Sequence, residues 1–584
     1  MNKHTTRNTQ QALRFTYRSV FPIVSGILAL LVYLTIAWFI LPPGAFWTSD
    51  EGAKMQQLEN LRWENGRLAH DIAYTGRELD PELQFAHLDP QRGHIRMRNA
   101  KLYFQRLPVF PLLVLPFFRW FGYYGLYLLP AISGAVTGVL ALQLLKRSDR
   151  RLGMWLLIAF GSPVFIYATI FWEHTLATSL GLVGAWLAFR IGPTTRTKPL
   201  GKIFGWTAIG VLLGFGAYIR LELLVFALAL LFAYCYVVRN DRWGPVWAGL
   251  VLLLIMLPYR PLHGLLFGGQ KMPENATHLF YPARYLTDAG WKAVPDLLIG
   301  PVADASIDTG WLGDLWAIAA VIVIAHSFSA TTSPTMRTIR LAGLAVTAIV
   351  GAIFLFNKTF YHSGHGLLFT TPWALLGLSR ARKVWQSGGW RARVIVLSAI
   401  LGLIGHTVGI IGLRGASPHG GLEWGARFAM PYYPLLALIA AWDLGEKRRD
   451  AKTIVIVGAL MFLGLCFQIR GIGTIRHDKQ FNAALNRMVI ELPEQHIVTD
   501  QVWFPFVTAP VYAQKGIFVA STPEKLGDWV KLAIVHRVGH FSLVTANTVL
   551  LDETSQILDD YELGVIEIRR IKHLLVYRVI IKPE

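Results

Sequence analysis

The chain has 584 residues, 53% hydrophobic and only 16% charged, with a mean hydropathy of +0.42. That balance excludes an ordinary soluble domain, and its two cysteines, Cys235 and Cys466, both inside apolar runs, exclude a disulfide framework. The formal net charge of +20 would suggest nucleic acid in a soluble protein. In a chain this apolar it reads as the basic cytoplasmic loops of a multispan protein with an attraction for anionic lipid or phosphate, and no nucleic-acid partner is expected.

Met1 to Arg18 is polar and basic, and the first apolar run, about 20–42, is followed by no small-residue cleavage site, so an uncleaved signal anchor is expected. Further runs lie near 123–145, 152–170, 175–192, 203–219, 221–238, 245–267, 311–329, 341–357, 364–379, 394–413, 429–443 and 453–470. Each is close to the roughly 17–25 apolar residues that a span needs, which predicts about thirteen membrane helices. The run Leu107 to Trp120 holds Pro108, Pro111 and Pro116, and predicts an interfacial or re-entrant helix. Alternate short loops carry Lys146-Arg147, Arg196, Arg239, Arg337, Arg380-Ala381-Arg382-Lys383 and Lys447-Arg448-Arg449. They put those loops and the N-terminus in the cytoplasm, and the loop 43–106 outside it. After Arg470 the pattern changes to short alternating stretches at 496–500, 531–535, 548–551 and 564–568, read as strands. Phe481, Leu485 and Met488 mark a helix among them. The expected fold is an all-α polytopic membrane module over 1–470, with a large first outer loop, and a small extracytoplasmic α/β domain over 471–584.

Candidate chemistry gathers on the outer side. Asp50-Glu51 lies eight residues past the first run, at the head of a loop that also carries Lys54, Glu59, Glu64 and Asp71. A half-desolvated carboxylate there suits a general base, although a loop acid paired with Lys54 or Arg62 has the same sequence. Glu173-His174, flanked by Phe171 and Trp172, forms a whole outer turn, as a cavity-facing pair or as polar caps in an aromatic belt. Arg220, at membrane depth, suits a phosphate or an internal pair with Glu222. Lys358, Tyr361, His362 and His365 share one outer turn, and Arg414, Glu423, Trp424 and Arg427 another. Arginine forks, lysine charge and glycines that let backbone approach make such turns suited to an anionic lipid head group. The histidines lack the tight spacing of a zinc site.

Three features together resemble the GT-C superfamily of polyprenyl-phosphate-dependent glycosyltransferases, and most of all its branch of protein O-mannosyltransferases and the lipid A aminoarabinose transferase. They are Ser49-Asp50-Glu51 after the first span, the proline-broken segment Leu107 to Leu113, and Trp424-Gly425-Ala426-Arg427-Phe428-Ala429-Met430-Pro431-Tyr432-Tyr433-Pro434. The last is similar to a W-G-x-R-[YF]-x-x-P-x-x-P stretch of such proteins. The resemblance implies an inverting transferase with a polyprenyl-phosphate sugar as donor and an extracytoplasmic glycan, lipid or protein as acceptor. It implies Asp50 as base and Glu51 as the residue that orients the acceptor or the sugar. Lys54, Arg220, Lys358, Arg414 and Arg427 would meet the donor phosphate. Glu173, His174, Tyr361, His362, His365, Glu423 and Trp424 would line the substrate site. The chain lacks the second acidic metal motif and the Trp-Trp-Asp motif of the oligosaccharyltransferases, so N-glycosylation is not expected and a divalent metal stays open as a cofactor. The expected location is a bacterial inner membrane. A transporter or flippase for a lipid-linked solute, or a non-catalytic part of envelope polysaccharide assembly, is the competing expectation.

Overall fold

A computed structural model describes residues 20–64, 67–87, 95–104, 106–144, 151–193, 199–259, 261–262, 310–328, 333–356, 366–414, 423–442, 451–546 and 563–581. The chain divides into two compact units. The first comprises Met1–Ala37, Leu126–Leu262 and Lys271–Thr474, and the second Trp38–Gly125, His263–Gln270 and Ile475–Glu584.

The first unit is helical, as backbone in lipid must be if its polar groups are to be satisfied internally. Among the described residues of the chain, six helices are long and apolar enough to cross a membrane: Val20–Ile40, Val109–Leu144, Pro199–Ile219, Pro334–Phe356, Trp390–Gly409 and Ala451–Glu491. Shorter apolar helices cover Glu222–Val237, Trp243–Met256, Asp314–His326 and Tyr432–Trp442. All of these overlap the apolar runs of the sequence. Close packing uses glycine: a Cβ at Gly210 or Gly214 would strike Val251 or Ile255 at under 3 Å, so helices Pro199–Ile219 and Trp243–Met256 meet nearly backbone to side chain.

Two expected spans are broken. The run 152–170 forms helix Arg151–Ala159 and a short turn of helix, Val164–Tyr167, because Pro163 cannot donate to the ladder and restricts Ser162 before it. The run 364–379 is also displaced. Its helix starts only after Pro372, at Ala374, and runs to Ser387, so Arg380, Arg382 and Lys383 are helical rather than in a loop. Its buried side, Leu375, Leu376, Ser379 and Val384, continues past the end of the apolar run.

The second unit carries all the described strands. β1 (Arg62–Glu64) and β2 (Arg67–Ala69) form a hairpin. β3 (Asp71–Ile72), β4 (Ile95–Arg98) and β5 (Lys101–Phe104) form an antiparallel sheet in the order β3-β5-β4. β6 (His496–Thr499), β7 (Gly516–Val519), β8 (His540–Thr545), β9 (Gly564–Ile571) and β10 (Leu574–Ile580) form a five-stranded sheet in the order β7-β6-β8-β10-β9. There β6 runs parallel to β7 and β8, while β10 is antiparallel to β8 and β9. The expected strand at 531–535 is instead the end of helix Pro523–Val535. Thr522 caps that helix, Pro523 sits in its first turn, and Leu526, Trp529, Val530 and Ala533 recur with helical period on its buried side. The expected strand at 548–551 lies outside the described residues. Phe481, Leu485 and Met488 do share a helix, Ala451–Glu491, and pack with Ile497, Val544 and Val576. A second core joins Phe85, Phe104, Phe518, Trp529 and Phe541.

Candidate functional site

In the second unit, Asp50 and Glu51 open helix Ser49–Glu59. Its sequence, SDEGAKMQQLE, is polar, yet residues 50–58 are all buried, with Asp50 7%, Glu51 0% and Lys54 2% exposed. Polar side chains are buried this way only when the surrounding protein supplies partners. Thr48 and Glu51 close a capping box. The Glu51 amide donates to Thr48 Oγ1 at 3.3 Å, and Glu51 Oε2 accepts from the amides of Trp47 at 2.6 Å and Thr48 at 3.3 Å. Glu51 therefore holds the helix start, while Asp50, in the same first turn, keeps its Oδ2 3.4 Å from Arg106 Nη2. Gln57 Nε2 donates to the Arg106 carbonyl at 3.1 Å and fixes that residue's backbone. A cation beside Asp50 and the helix N-terminus both place positive potential on that carboxylate.

The segment before this helix is tied to the C-terminal part of helix Ala451–Glu491. Asp478 Oδ2 accepts from Trp47 Nε1 at 3.0 Å. Asn482 Nδ2 donates to the Phe46 carbonyl at 2.7 Å, and Asn486 Nδ2 to that of Gly44 at 3.3 Å. These three lie four residues apart, on one helix face. Sequence reasoning followed the apolar side of the same helix and passed over this polar one. Farther along, Gly52 lies against the backbone of Phe506, where a Cβ would stand 1.8 Å from the carbonyl oxygen. Gln56 Nε2 donates to the Pro505 carbonyl at 2.9 Å, and Gln56 Oε1 lies 3.2 Å from His87 Nε2. His87 Nδ1 lies 3.2 Å from the Tyr512 hydroxyl. Burial holds the fully enclosed His87 imidazole neutral and pushes its pKa down to about 3.

A separate cluster lies in the first unit. Arg220, between helices Pro199–Ile219 and Glu222–Val237, donates to Glu173 Oε1 at 2.7 Å and grips Glu222 through two nitrogens, at 3.0 and 2.6 Å. Arg427 pairs with Glu423 at 2.9 Å. Both guanidiniums face the Phe428 ring, Arg220 at 5.5 Å and Arg427 at 4.6 Å, and Arg427 also lies 4.8 Å from the Trp172 ring. His174 stacks on Trp172, with centroids 5.1 Å apart. Trp424, 1% exposed, is tethered through its amide to the Tyr167 hydroxyl at 3.2 Å. Gly425 turns the chain between Glu423 and Arg427 at φ +66. A Cβ there would stand 2.4 Å from Pro163 Cγ and 2.9 Å from Thr370 Oγ1. The Trp-Gly-x-Arg stretch thus requires glycine on two counts, backbone conformation and space.

Glu173, His174, Arg220, Glu423, Trp424 and Arg427 therefore come together in one unit. Asp50, Glu51 and Lys54 come together in the other. The internal pairing considered for Arg220 is realised with Glu222 and extended to Glu173. Lys358, Tyr361, His362 and His365 lie outside the described residues, as does the side chain of Arg414, which ends helix Trp390–Arg414. Among the described residues no three His, Cys, Asp or Glu side chains form a group able to hold a metal, so they offer a divalent cation no donor set. Arg106, Asp478, Asn482, Asn486 and His406 were not singled out in the sequence. The partners that each meets are remote in the chain.

No protein-family model matches the chain, and no curated protein sequence matches it. Among solved structures it is similar to ArnT from Cupriavidus metallidurans bound to undecaprenyl phosphate, at 11% identity and a TM-score of 0.49, over 96% of this chain and 98% of that one. It is similar to the same protein in the apo state at 13% identity and a TM-score of 0.42, over 94% and 97%. The archaeal oligosaccharyltransferase AglB from Archaeoglobus fulgidus, in complex with an inhibitory peptide and a dolichol-phosphate, is similar at 12% identity and a TM-score of 0.45, over 90% of this chain and 69% of that one.

Proposed function

We propose that the protein is an integral-membrane glycosyltransferase that moves a sugar from a polyprenyl-phosphate carrier to an extracytoplasmic glycan, lipid or protein. The observation that supports it best is the burial of Asp50 at the first turn of a polar helix, in reach of Arg106 and fixed by the Glu51 cap. A carboxylate held in one place beside a cation is positioned to accept a proton. Asp50 takes the proton of an acceptor hydroxyl or amine. The acceptor atom forms its bond to the anomeric carbon, the bond from that carbon to the phosphate oxygen breaks, and the phosphate leaves with the electron pair. Direct displacement inverts the anomeric centre. Lys54, one helical turn from Asp50 and 2% exposed, is the described cation best suited to the leaving phosphate. In this reading 1–470 is the membrane module of a bacterial inner-membrane protein with a cytoplasmic N-terminus, and 471–584 is its outer domain.

The test is sugar transfer by purified full-length protein in lipid, with Asp50→Asn, which keeps shape and removes the base. Loss of a general base lowers the rate by about 10²–10⁴-fold. Transfer that survives in both Asp50→Asn and Glu51→Gln removes the base assignment. Normal transport of a lipid-linked solute without any transfer would favour a transporter.

A further inference from the structure

Helix Ala451–Glu491 is unbroken over 41 residues, and its exposed side changes character along its length. Val455, Phe462 and Ile469, 68%, 65% and 58% exposed, stand seven residues apart and so share one face, which suits the acyl chains of a bilayer. The next member of that series is Arg476, exposed like its neighbour His477. Seven residues advance a helix by about 10 Å, enough to pass from hydrocarbon into the head-group layer. We propose that Arg476 and His477, with Lys572 and His573 from the turn between β9 and β10, hold the head group of an anionic phospholipid whose acyl chain lies along Ile469 and Phe462.

Contacts inside the second unit build the cluster. Lys572 and His573 connect β9 to β10, and Lys572 has φ +52, a left-handed conformation that glycine or asparagine enters more readily. This turn rests on the helix. Lys572 Nζ lies 2.9 Å from His477 Nε2 and 4.6 Å from the Phe481 ring, and the His573 ring stands 5.5 Å from that of Phe481. Among the described residues no carboxylate bridges Arg476, His477, Lys572 or His573. Two acids of the same helix are turned elsewhere: Asp478 accepts from Trp47 Nε1 at 3.0 Å, and Glu491 pairs with Arg569 at 2.7 Å. Exposed cations that no described carboxylate neutralises suit a phosphate ester, whose oxygens match an arginine fork and a lysine charge together. A free phosphate would use the charges alone, whereas the apolar face that leads to them favours a lipid.

The test is native mass spectrometry of the full-length protein in detergent, titrated with phosphatidylglycerol and with phosphatidylcholine. Phosphatidylglycerol should bind the more tightly, and excess inorganic phosphate should not displace it. Lys572→Asn removes a charge and keeps a residue that accepts the left-handed turn, and Arg476→Gln removes a second charge. Each should weaken phosphatidylglycerol binding by about fivefold, the worth of one cation at an anionic surface, and leave phosphatidylcholine unchanged. Lys572→Arg should bind as the parent does. Lys525→Gln, at an exposed lysine of helix Pro523–Val535, controls for charge alone and should have no effect. Equal affinity for the two lipids, displacement by phosphate, or a Lys572→Asn variant that binds no more weakly than Lys525→Gln would each overturn the assignment. No sugar transfer enters the measurement, so its outcome is separate from that of Asp50→Asn.

Discussion

Gly425→Ala is the substitution most directly specified by the structure. Two costs add. At φ +66 an L-residue pays about 1–2 kcal/mol for the left-handed conformation. The new Cβ would also stand 2.4 Å from Pro163 Cγ and 2.9 Å from Thr370 Oγ1, a proline ring and a buried β-branched residue that have little room to yield. Overpacking of that kind costs about 1–3 kcal/mol. The total is about 2–5 kcal/mol, and relaxation would displace the turn that places Glu423 and Arg427. Gly458→Ala is the matched control. It lies inside helix Ala451–Glu491, a Cβ there meets nothing within 4 Å, and the exchange should be neutral or stabilising by up to about 1 kcal/mol. Thermal unfolding of both variants in the same detergent, followed by tryptophan fluorescence, measures the difference. Equal stability of the two would refute the claim that this turn needs glycine.

Glu51→Ala removes the carboxylate that accepts from the Trp47 and Thr48 amides, and should cost about 1 kcal/mol of stability, whereas Asp50→Asn should cost little stability and most of the activity. A variant pair in which Asp50→Asn unfolds the protein and Glu51→Ala does not would reverse these roles. His87 makes stability depend on pH in a defined direction. Its pKa is about 3 when folded, against about 6.5 in the unfolded chain, so between those values the unfolded state binds the extra proton. Stability therefore falls as pH drops from about 6.5 toward 3, by up to about 1.4 kcal/mol per unit, and His87 contributes no slope above that window. Denaturation midpoints of the parent and His87→Gln between pH 4 and pH 6 should diverge by that slope, and parallel curves would show that His87 is not buried neutral.

The apolar runs determined most of the membrane helices, because a span must be long and apolar wherever it packs. They failed at 152–170 and 364–379, where Pro163 and Pro372 outweighed hydropathy, and proline acts on the backbone whatever the surrounding composition. The stretch 531–535 alternated like a strand, and only the Thr522 cap and the buried face of Leu526, Trp529, Val530 and Ala533 made it helical. Asp50 and Glu51 were legible as a pair, since adjacent acids after a span stand out. Their division of labour was not, because a capping box depends on which carboxylate turns back to the Trp47 and Thr48 amides. The same holds for Arg220. Sequence offered it to a phosphate or to Glu222, and only the folded chain adds Glu173, 47 residues away, as a second carboxylate. What a stretch of chain prefers by itself, apolar span or polar loop, is a local property and can be read in order. Which charges end up neutralised, which amide a carboxylate caps and where a glycine is required depend on segments that meet only in three dimensions.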